Sequence, residues 1–190
     1  MEAFLVSTGV VALAELGDKT QLLALVLAAR FRAPVPVLAG ITTAVLMSHV
    51  LAGAAGTLLA SVLAPAVLRW LLAASFIATA VWMLVPDREP ASGTRPARFG
   101  AYGTTVGTFF LAEMGDKTQI ATLALAARYH ALVAVVAGAT LGMLIADVPA
   151  VLLGRAAAER LPIQLMHRIG AVVFLALALL ALLQVPAGSR

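Results

Sequence analysis

The sequence predicts an all-α membrane protein with six transmembrane helices, arranged as two inverted three-helix repeats. Hydrophobic residues make up 62% of the 190-residue chain and charged residues 12%, whereas soluble domains are about 45–50% apolar and about 25% charged. The apolar residues form six long segments, and the second half of the chain repeats the first. These observations together indicate an integral membrane protein that contacts the lipid bilayer along most of its length.

Charge and cysteine content narrow the function classes. The formal net charge of +4 would suggest a nucleic-acid partner in a soluble chain. Here the arginines lie in short loops between apolar segments, which is the pattern that membrane topology produces, so we expect no nucleic acid. The chain has no cysteine, which excludes disulfides, thiolate metal sites and thiol nucleophiles. The N-terminus lacks the basic region of a signal peptide, and we expect it to be retained.

Six apolar spans follow one another along the chain. They cover approximately residues 3–29, 35–63, 66–85, 100–127, 132–153 and 163–185. About 20 helical residues cross the hydrocarbon core. The first span exceeds this length and contains Gly17 near its middle, so we expect a tilted or broken helix there. In the second span Gly40, Gly53 and Gly56 favour close contact with other helices.

A polar linker divides the chain into two similar halves. The linker at residues 86–99 is rich in proline and glycine, and it separates a first repeat at 1–85 from a second at 100–190. A shift of 98 residues superimposes the halves, with 22 identities in the 43 positions of 14–56. Each half contains an odd number of spans, so the second must enter the membrane from the opposite side. Inverted repeats of this kind are typical of secondary transporters.

The loop arginines predict the orientation. Eight lie on one side of the predicted topology and three on the other. The eight are Arg30, Arg32, Arg88, Arg95, Arg98, Arg155, Arg160 and Arg168, and the three are Arg69, Arg128 and Arg190. The positive-inside rule places the larger group, and with it the linker, in the cytoplasm. Both termini are therefore expected outside.

An acidic octet occurs once in each repeat, inside the first span. Residues 14–21 read AELGDKTQ and residues 112–119 read AEMGDKTQ. An ionised side chain at the bilayer centre costs about 2.5 kcal/mol or more. A purely structural ion pair would need only one pair per span, whereas each octet holds two carboxylates and a lysine. We therefore interpret the octets as a functional site.

The carboxylates of the two octets are candidate metal ligands. Glu15 and Asp18 are three residues apart, as are Glu113 and Asp116, and this spacing places each pair on one face of a helix. Antiparallel repeats would bring the two faces together. Further oxygen donors in the octets are Thr20, Gln21, Thr118 and Gln119. Oxygen ligands without sulfur suit hard divalent cations such as Ca²⁺, Mn²⁺ and Mg²⁺. Because clustered carboxylates away from water also favour protons, cation and proton would compete, and this competition is the physical basis of antiport.

Four other residues of the spans have open roles. Lys19 and Lys117 either form a structural or gating salt bridge that is exchanged when metal arrives, or extend to a water-filled vestibule. His49 aligns with Asp147, and both lie in mid-span, where a titratable residue suggests function. His49 is either a proton relay or a histidine satisfied by a helix contact. Asp147 is an additional ligand, a proton-coupling residue or an arginine partner.

The pattern Glu-x-Gly-Asp-Lys-Thr, present at 15–20 and 113–118, resembles the signature of the GDT-type cation/proton exchangers. These include Golgi calcium and manganese transporters of eukaryotes and manganese exporters of bacteria. The resemblance spans nearly the whole chain. It implies a transporter of Mn²⁺ or Ca²⁺ against protons, with Glu15, Asp18, Glu113 and Asp116 at the essential acidic positions and no cofactor beyond the transported cation. The compact chain is similar to prokaryotic members, which implies manganese export across the cytoplasmic membrane.

Two other function classes are weighed against this one. An intramembrane aspartyl protease would have the motif Gly-x-Gly-Asp, but here Glu15 stands two residues before Gly17. A lipid-phosphate phosphatase would have arginines at membrane depth near the carboxylates, and the sequence has none there. We therefore expect no enzymatic activity. An exporter of basic amino acids would also use an acidic site, and only a transport assay separates it from a metal exporter. The sequence leaves the oligomeric state open.

Overall fold

The computed structural model describes residues 1–84, 99–153 and 163–183, and all regular structure in these ranges is helical. The helices are α1 Glu2–Glu15, α2 Lys19–Phe31, α3 Pro34–Val62, α4 Pro65–Met83, α5 Gly100–Glu113, α6 Lys117–Tyr129, α7 Leu132–Leu153 and α8 Ile163–Leu183. The all-α prediction is confirmed. Nearly all of the predicted linker and six of the arginines used for the orientation lie outside the described residues. Those arginines are Arg88, Arg95, Arg98, Arg155, Arg160 and Arg190.

Three of the described helices, α3, α4 and α7, are long and apolar enough to cross a membrane. In α8 the apolar stretch His167–Leu183 is shorter. Large apolar side chains cover the outside of the bundle, among them Trp70, Val133 and Leu175. Such a surface would associate in water, whereas lipid tails solvate it. The chain is therefore an integral membrane protein.

The first and fourth predicted spans are each broken into two helices at the octet. Helix α1 ends at Glu15 and α2 begins at Lys19, because Gly17 adopts the left-handed backbone region with φ of 82°. Gly115 does the same between α5 and α6, with φ of 75°. This confirms the broken helix. The prediction that each Glu–Asp pair shares one helix face is wrong for Glu15 with Asp18 and for Glu113 with Asp116, because no continuous helix connects the members of either pair.

Glycines of α3 and α7 set close contacts with the other half of the chain. A Cβ added at Gly40 would lie 2.9 Å from the carbonyl oxygen of Tyr102 in α5, and one added at Gly138 would overlap the carbonyl oxygen of Phe4 in α1. Gly138 and Tyr102 stand 98 residues after Gly40 and Phe4. The two halves thus contact each other reciprocally, as the halves of a two-fold arrangement do.

The other two glycines that were expected to lie at close helix contacts do so. A Cβ at Gly53 would lie 2.7 Å from Leu132, and one at Gly56 would overlap the carbonyl oxygen of Leu123 in α6. Helix α3 therefore runs alongside α5 and α6. Helix α7 follows α1 and α2 in the corresponding way, so each long helix passes a broken pair and its octet.

Helix α1 and helix α6 pack together and run in opposite directions. The Tyr129 hydroxyl at the end of α6 donates to Glu2 at the start of α1, with an O–O distance of 3.2 Å. At the other end of the contact, Lys117 at the start of α6 bonds to Asp18, just beyond the end of α1. The two octets consequently meet in the interior of the bundle.

On another side of the bundle, helix α4 packs on helix α8. The rings of Phe76 and Phe174 are in contact there.

Candidate functional site

Two reciprocal ion pairs join the octets. The Lys19 ammonium lies 2.6 Å from Asp116 Oδ1, and the Lys117 ammonium lies 2.7 Å from Asp18 Oδ1. Each lysine therefore reaches the aspartate of the other half. The helix breaks make this possible, because each aspartate precedes the first turn of a new helix and each lysine begins that turn. Charged side chains at these positions project from the start of the helix towards the facing half.

The two glutamates lie beside these pairs and are fully buried. Glu15 is the last residue of α1 and Glu113 the last of α5. The Thr20 hydroxyl donates to Glu15 Oε2 at 2.7 Å, and the Thr118 hydroxyl donates to Glu113 Oε2 at 3.3 Å. The other oxygen of each glutamate accepts no hydrogen bond from the described residues. One oxygen on each side is thus available to a ligand.

Three of the four predicted metal ligands come together in a triad. Glu15, Glu113 and Asp116 each place a carboxylate oxygen within 4.8 Å of the other two. Ligand oxygens bound to one cation at about 2.0–2.6 Å fall within this range of each other. Asp18 stands outside the triad, and its Oδ1 lies at the Lys117 ammonium. The triad alone gives fewer ligands than a divalent cation prefers, so binding requires additional oxygens.

Gln21 braces the first helix break. Its Oε1 accepts from the Gly17 N–H at 3.1 Å, and its amide donates to the Ala146 carbonyl of α7 at 3.1 Å. A break in a buried helix leaves backbone N–H groups without helical partners, and an unpaired buried N–H is costly. Gln21 satisfies one of these groups and fixes the break against a neighbouring helix.

Gln119 has the same role in the second half. Its Oε1 accepts from the Gly115 N–H at 2.8 Å, and its amide donates to the Ser48 hydroxyl of α3 at 3.1 Å. Ser48 aligns with Ala146 of the first brace, 98 residues later. Both glutamines are therefore engaged in supporting the octets, a role that the sequence analysis did not identify. The signal that could have indicated it is the Gly-x-x-x-Gln spacing, which puts an amide within reach of the glycine N–H.

His49 and Asp147 have different surroundings although they occupy equivalent positions. His49 Nδ1 lies 3.2 Å from the Thr140 hydroxyl across the contact between α3 and α7, and its Nε2 has no described partner. Asp147 is fully buried, and neither of its oxygens accepts a hydrogen bond from the described residues. Asp147 lies within electrostatic range of both Glu15 and Glu113. Asp147 therefore lies near the triad.

The chain matches a known family over almost its whole length. The profile of the family described as "Divalent cation/proton antiporter GDT1" matches twice, at residues 3–91 and 101–189. A Vibrio cholerae protein named "Putative manganese exporter" is 46% identical over 180 residues, covering 94% of this chain and 90% of that protein. A "GDT1-like protein" of Synechocystis is 34% identical and covers 92% of this chain and 93% of its own. No solved structure matches the chain. The doubled octet, the internal repeat and these matches agree, and the chain belongs to the GDT1 family of divalent cation/proton antiporters.

Proposed function

We propose that this protein exports Mn²⁺ across a bacterial cytoplasmic membrane in exchange for protons, with Ca²⁺ as a second candidate cation. The observation on which the proposal rests is the buried triad of Glu15, Glu113 and Asp116 between the two octets. Its oxygen ligands suit Mn²⁺ and Ca²⁺ better than softer metals. The name of the Vibrio cholerae relative favours manganese and the export direction.

The proposed architecture is six spans in two inverted repeats. Helices α1 and α2 together form the first span, and α5 and α6 together form the fourth. The antiparallel packing of α1 and α6, with the Tyr129–Glu2 hydrogen bond at one end, supports inversion. The arginine distribution favours a cytoplasmic linker and termini outside.

A labelling experiment tests this orientation. Because the chain has no cysteine, the single cysteine introduced by Glu2→Cys can be labelled selectively. Labelling of intact cells by an impermeant maleimide is expected, and labelling only after lysis would reverse the topology.

In the proposed mechanism, protons and metal occupy the same carboxylates in turn. Four octet carboxylates face two lysines, which leaves two negative charges that either a divalent cation or protons can neutralise. When metal arrives, the aspartates exchange a lysine ammonium for the cation. Discontinuous helices favour this chemistry, because the carbonyl ends of α1 and α5 attract a cation while the start of α2 and α6 stabilises the aspartates. Alternating access then exposes the site to one side of the membrane at a time.

The experiment is Mn²⁺ uptake by proteoliposomes that contain the purified protein. Glu15→Gln and Glu113→Gln preserve side-chain shape and remove ligand charge, so both variants should lose Mn²⁺ flux while remaining folded. Glu2→Gln makes the same chemical change at the start of α1, away from the octets, and should retain wild-type flux. Parallel assays with Ca²⁺ and L-lysine separate a metal exporter from an exporter of basic amino acids. Flux of lysine but not of either metal, or full Mn²⁺ flux in both site variants, would contradict the proposal.

A further inference from the structure

Asp147 is the buried acidic residue of the described chain that the octets do not account for. We propose that Asp147 is a further binding residue for the transported cation, contributed by α7 and lacking in the first half of the chain. This inference rests on the proposed function and adds a ligand to it. Neither the family description nor the names of the relatives assign a role to this position.

Asp147 is buried without a partner among the described residues. Asp147 has no exposed surface, and both of its oxygens lack a hydrogen-bond donor among the described residues. In the same interior, Asp18 and Asp116 each have a lysine within 2.7 Å. A buried carboxylate without a cation or donor is strongly unfavourable. The described arginines form no salt bridge with Asp147 within 4.0 Å, so an arginine partner is not found in the described part of the chain. A proton or a cation from outside the chain can supply this compensation, and these are the two species that the proposed antiport exchanges.

The path of helix α7 places Asp147 beside the first octet. Helix α7 passes α1 at Gly142, where an added Cβ would meet backbone of Thr8 and Ala12, and reaches α2 at Ala146, whose carbonyl accepts from Gln21. Asp147 is the next residue and therefore lies at the level of the first helix break. Asp147 also lies within electrostatic range of Glu15 and Glu113. Asp147 is thus near the triad without belonging to its 4.8 Å cluster.

Asp147 adds to the number of oxygens that are available to a cation. Glu15 Oε1, Glu113 Oε1 and both oxygens of Asp147 have no described hydrogen-bond donor. Hard divalent cations take about six to eight oxygen ligands, and a carboxylate can supply two of them. The triad is short of this number. Asp147 can complete it with one or two oxygens, and the cation would neutralise the charge that the protein leaves buried.

The equivalent residue of the first half offers a neutral imidazole, which suits a hard cation less well than a carboxylate. His49 stands 98 residues before Asp147, offers no anionic oxygen, and is bonded through Nδ1 to Thr140. The cation site is therefore built from two similar octets and one unsymmetrical ligand. A matched pair of substitutions, one at each position, can consequently test Asp147 against an internal control.

The test is Mn²⁺ binding to purified protein in nanodiscs. Binding is measured by electron paramagnetic resonance, as the decrease in the signal of free Mn²⁺. Asp147→Asn should weaken Mn²⁺ binding at least about tenfold, which is the lower limit typical of changes around a metal site. His49→Asn should leave the affinity within about twofold of wild type. The thermal unfolding temperature without metal should be unchanged or raised in Asp147→Asn, because the substitution removes a buried carboxylate that has no described partner. Wild-type Mn²⁺ affinity in Asp147→Asn, or an equal loss in His49→Asn, would overturn the inference.

A second variant covers the case in which Asp147→Asn does not fold. Asp147→Glu keeps the carboxylate and lengthens its reach, so it should change the ratio of Mn²⁺ to Ca²⁺ affinity, and an unchanged ratio would count against a ligand. Glu15→Gln, measured alongside, separates the two claims. Loss of binding in Glu15→Gln with normal binding in Asp147→Asn would overturn this inference alone. Normal binding in Glu15→Gln would contradict the proposed function itself.

Discussion

The ammonium of Lys19 lies 2.6 Å from the carboxylate of Asp116, 97 residues later in the chain. The equivalent pair, Lys117 and Asp18, has nearly the same distance of 2.7 Å but a different exposure. Lys19 is 28% exposed, whereas Lys117 is 1% exposed. One of two related ion pairs is thus partly exposed at the surface of the bundle, while the other is buried. This difference is what an alternating-access protein would have when its site opens to one side.

The first prediction concerns the stability of the two pairs. Lys117→Met should lower the thermal unfolding temperature more than Lys19→Met, because it leaves the Asp18 charge in a place that water does not reach. Breaking a buried ion pair costs about 3–5 kcal/mol. The measurement is loss of folded, monodisperse protein on heating in detergent. Adding Asp18→Asn to Lys117→Met should recover much of the loss, and equal destabilisation by both lysine variants would show that the exposure difference is unimportant.

The second prediction concerns the helix breaks. Gly115 has φ of 75°, and a Cβ added there would meet nothing within 4 Å, so its substitution tests backbone conformation without a steric clash. Transport should decrease in the order Gly, Asn, Ala, Val, because Asn tolerates the left-handed region best and a β-branched residue least. Gly107→Ala is the matched control, since that glycine also has open space but no positive φ. Full activity of Gly115→Val would mean that the break is not required.

Much of the fold was predictable from the sequence, and the reason is the regularity of its patterns. The hydropathy pattern predicted the helical segments, and Gly17 predicted the break. Close contacts were predicted at three glycines, and the structure contains them at Gly40, Gly53 and Gly56. These are local properties, determined by bilayer thickness, backbone sterics and side-chain size.

The details of the site were less predictable, because they depend on contacts between the halves. A salt bridge of Lys19 to a carboxylate was one of two alternatives, but the sequence did not indicate that its partner would be Asp116 of the other half. Asp18 stands outside the triad that contains Glu15, although Asp116 at the equivalent position of the second half belongs to it. Gln21 was expected as a further oxygen donor, and its spacing did not indicate the hydrogen bond that its amide donates to α7. In each case a long-range partner determines the side-chain position, and residue spacing contains no information on that partner.

The third prediction concerns the pH dependence of metal binding. Carboxyl groups must be deprotonated to bind a metal, so lowering the pH should raise the Kd for Mn²⁺. For each proton that the metal displaces, the logarithm of Kd should rise by about one for every unit by which the pH is lowered. Calorimetric titrations between about pH 5.5 and pH 8 would measure this slope, in a range above the ordinary carboxyl value of about 4. A Kd that does not change with pH in this range would exclude shared occupancy of the carboxylates.

The central claim is that metal and protons move in opposite directions through the same site. The most direct measurement uses proteoliposomes with a pH-sensitive dye inside, no initial pH gradient and a membrane potential held at zero. Addition of Mn²⁺ outside should make the lumen more alkaline as protons leave in exchange, and Glu15→Gln vesicles should show no change. Entry of Mn²⁺ at the wild-type rate without any movement of protons would contradict antiport and indicate a channel or uniporter.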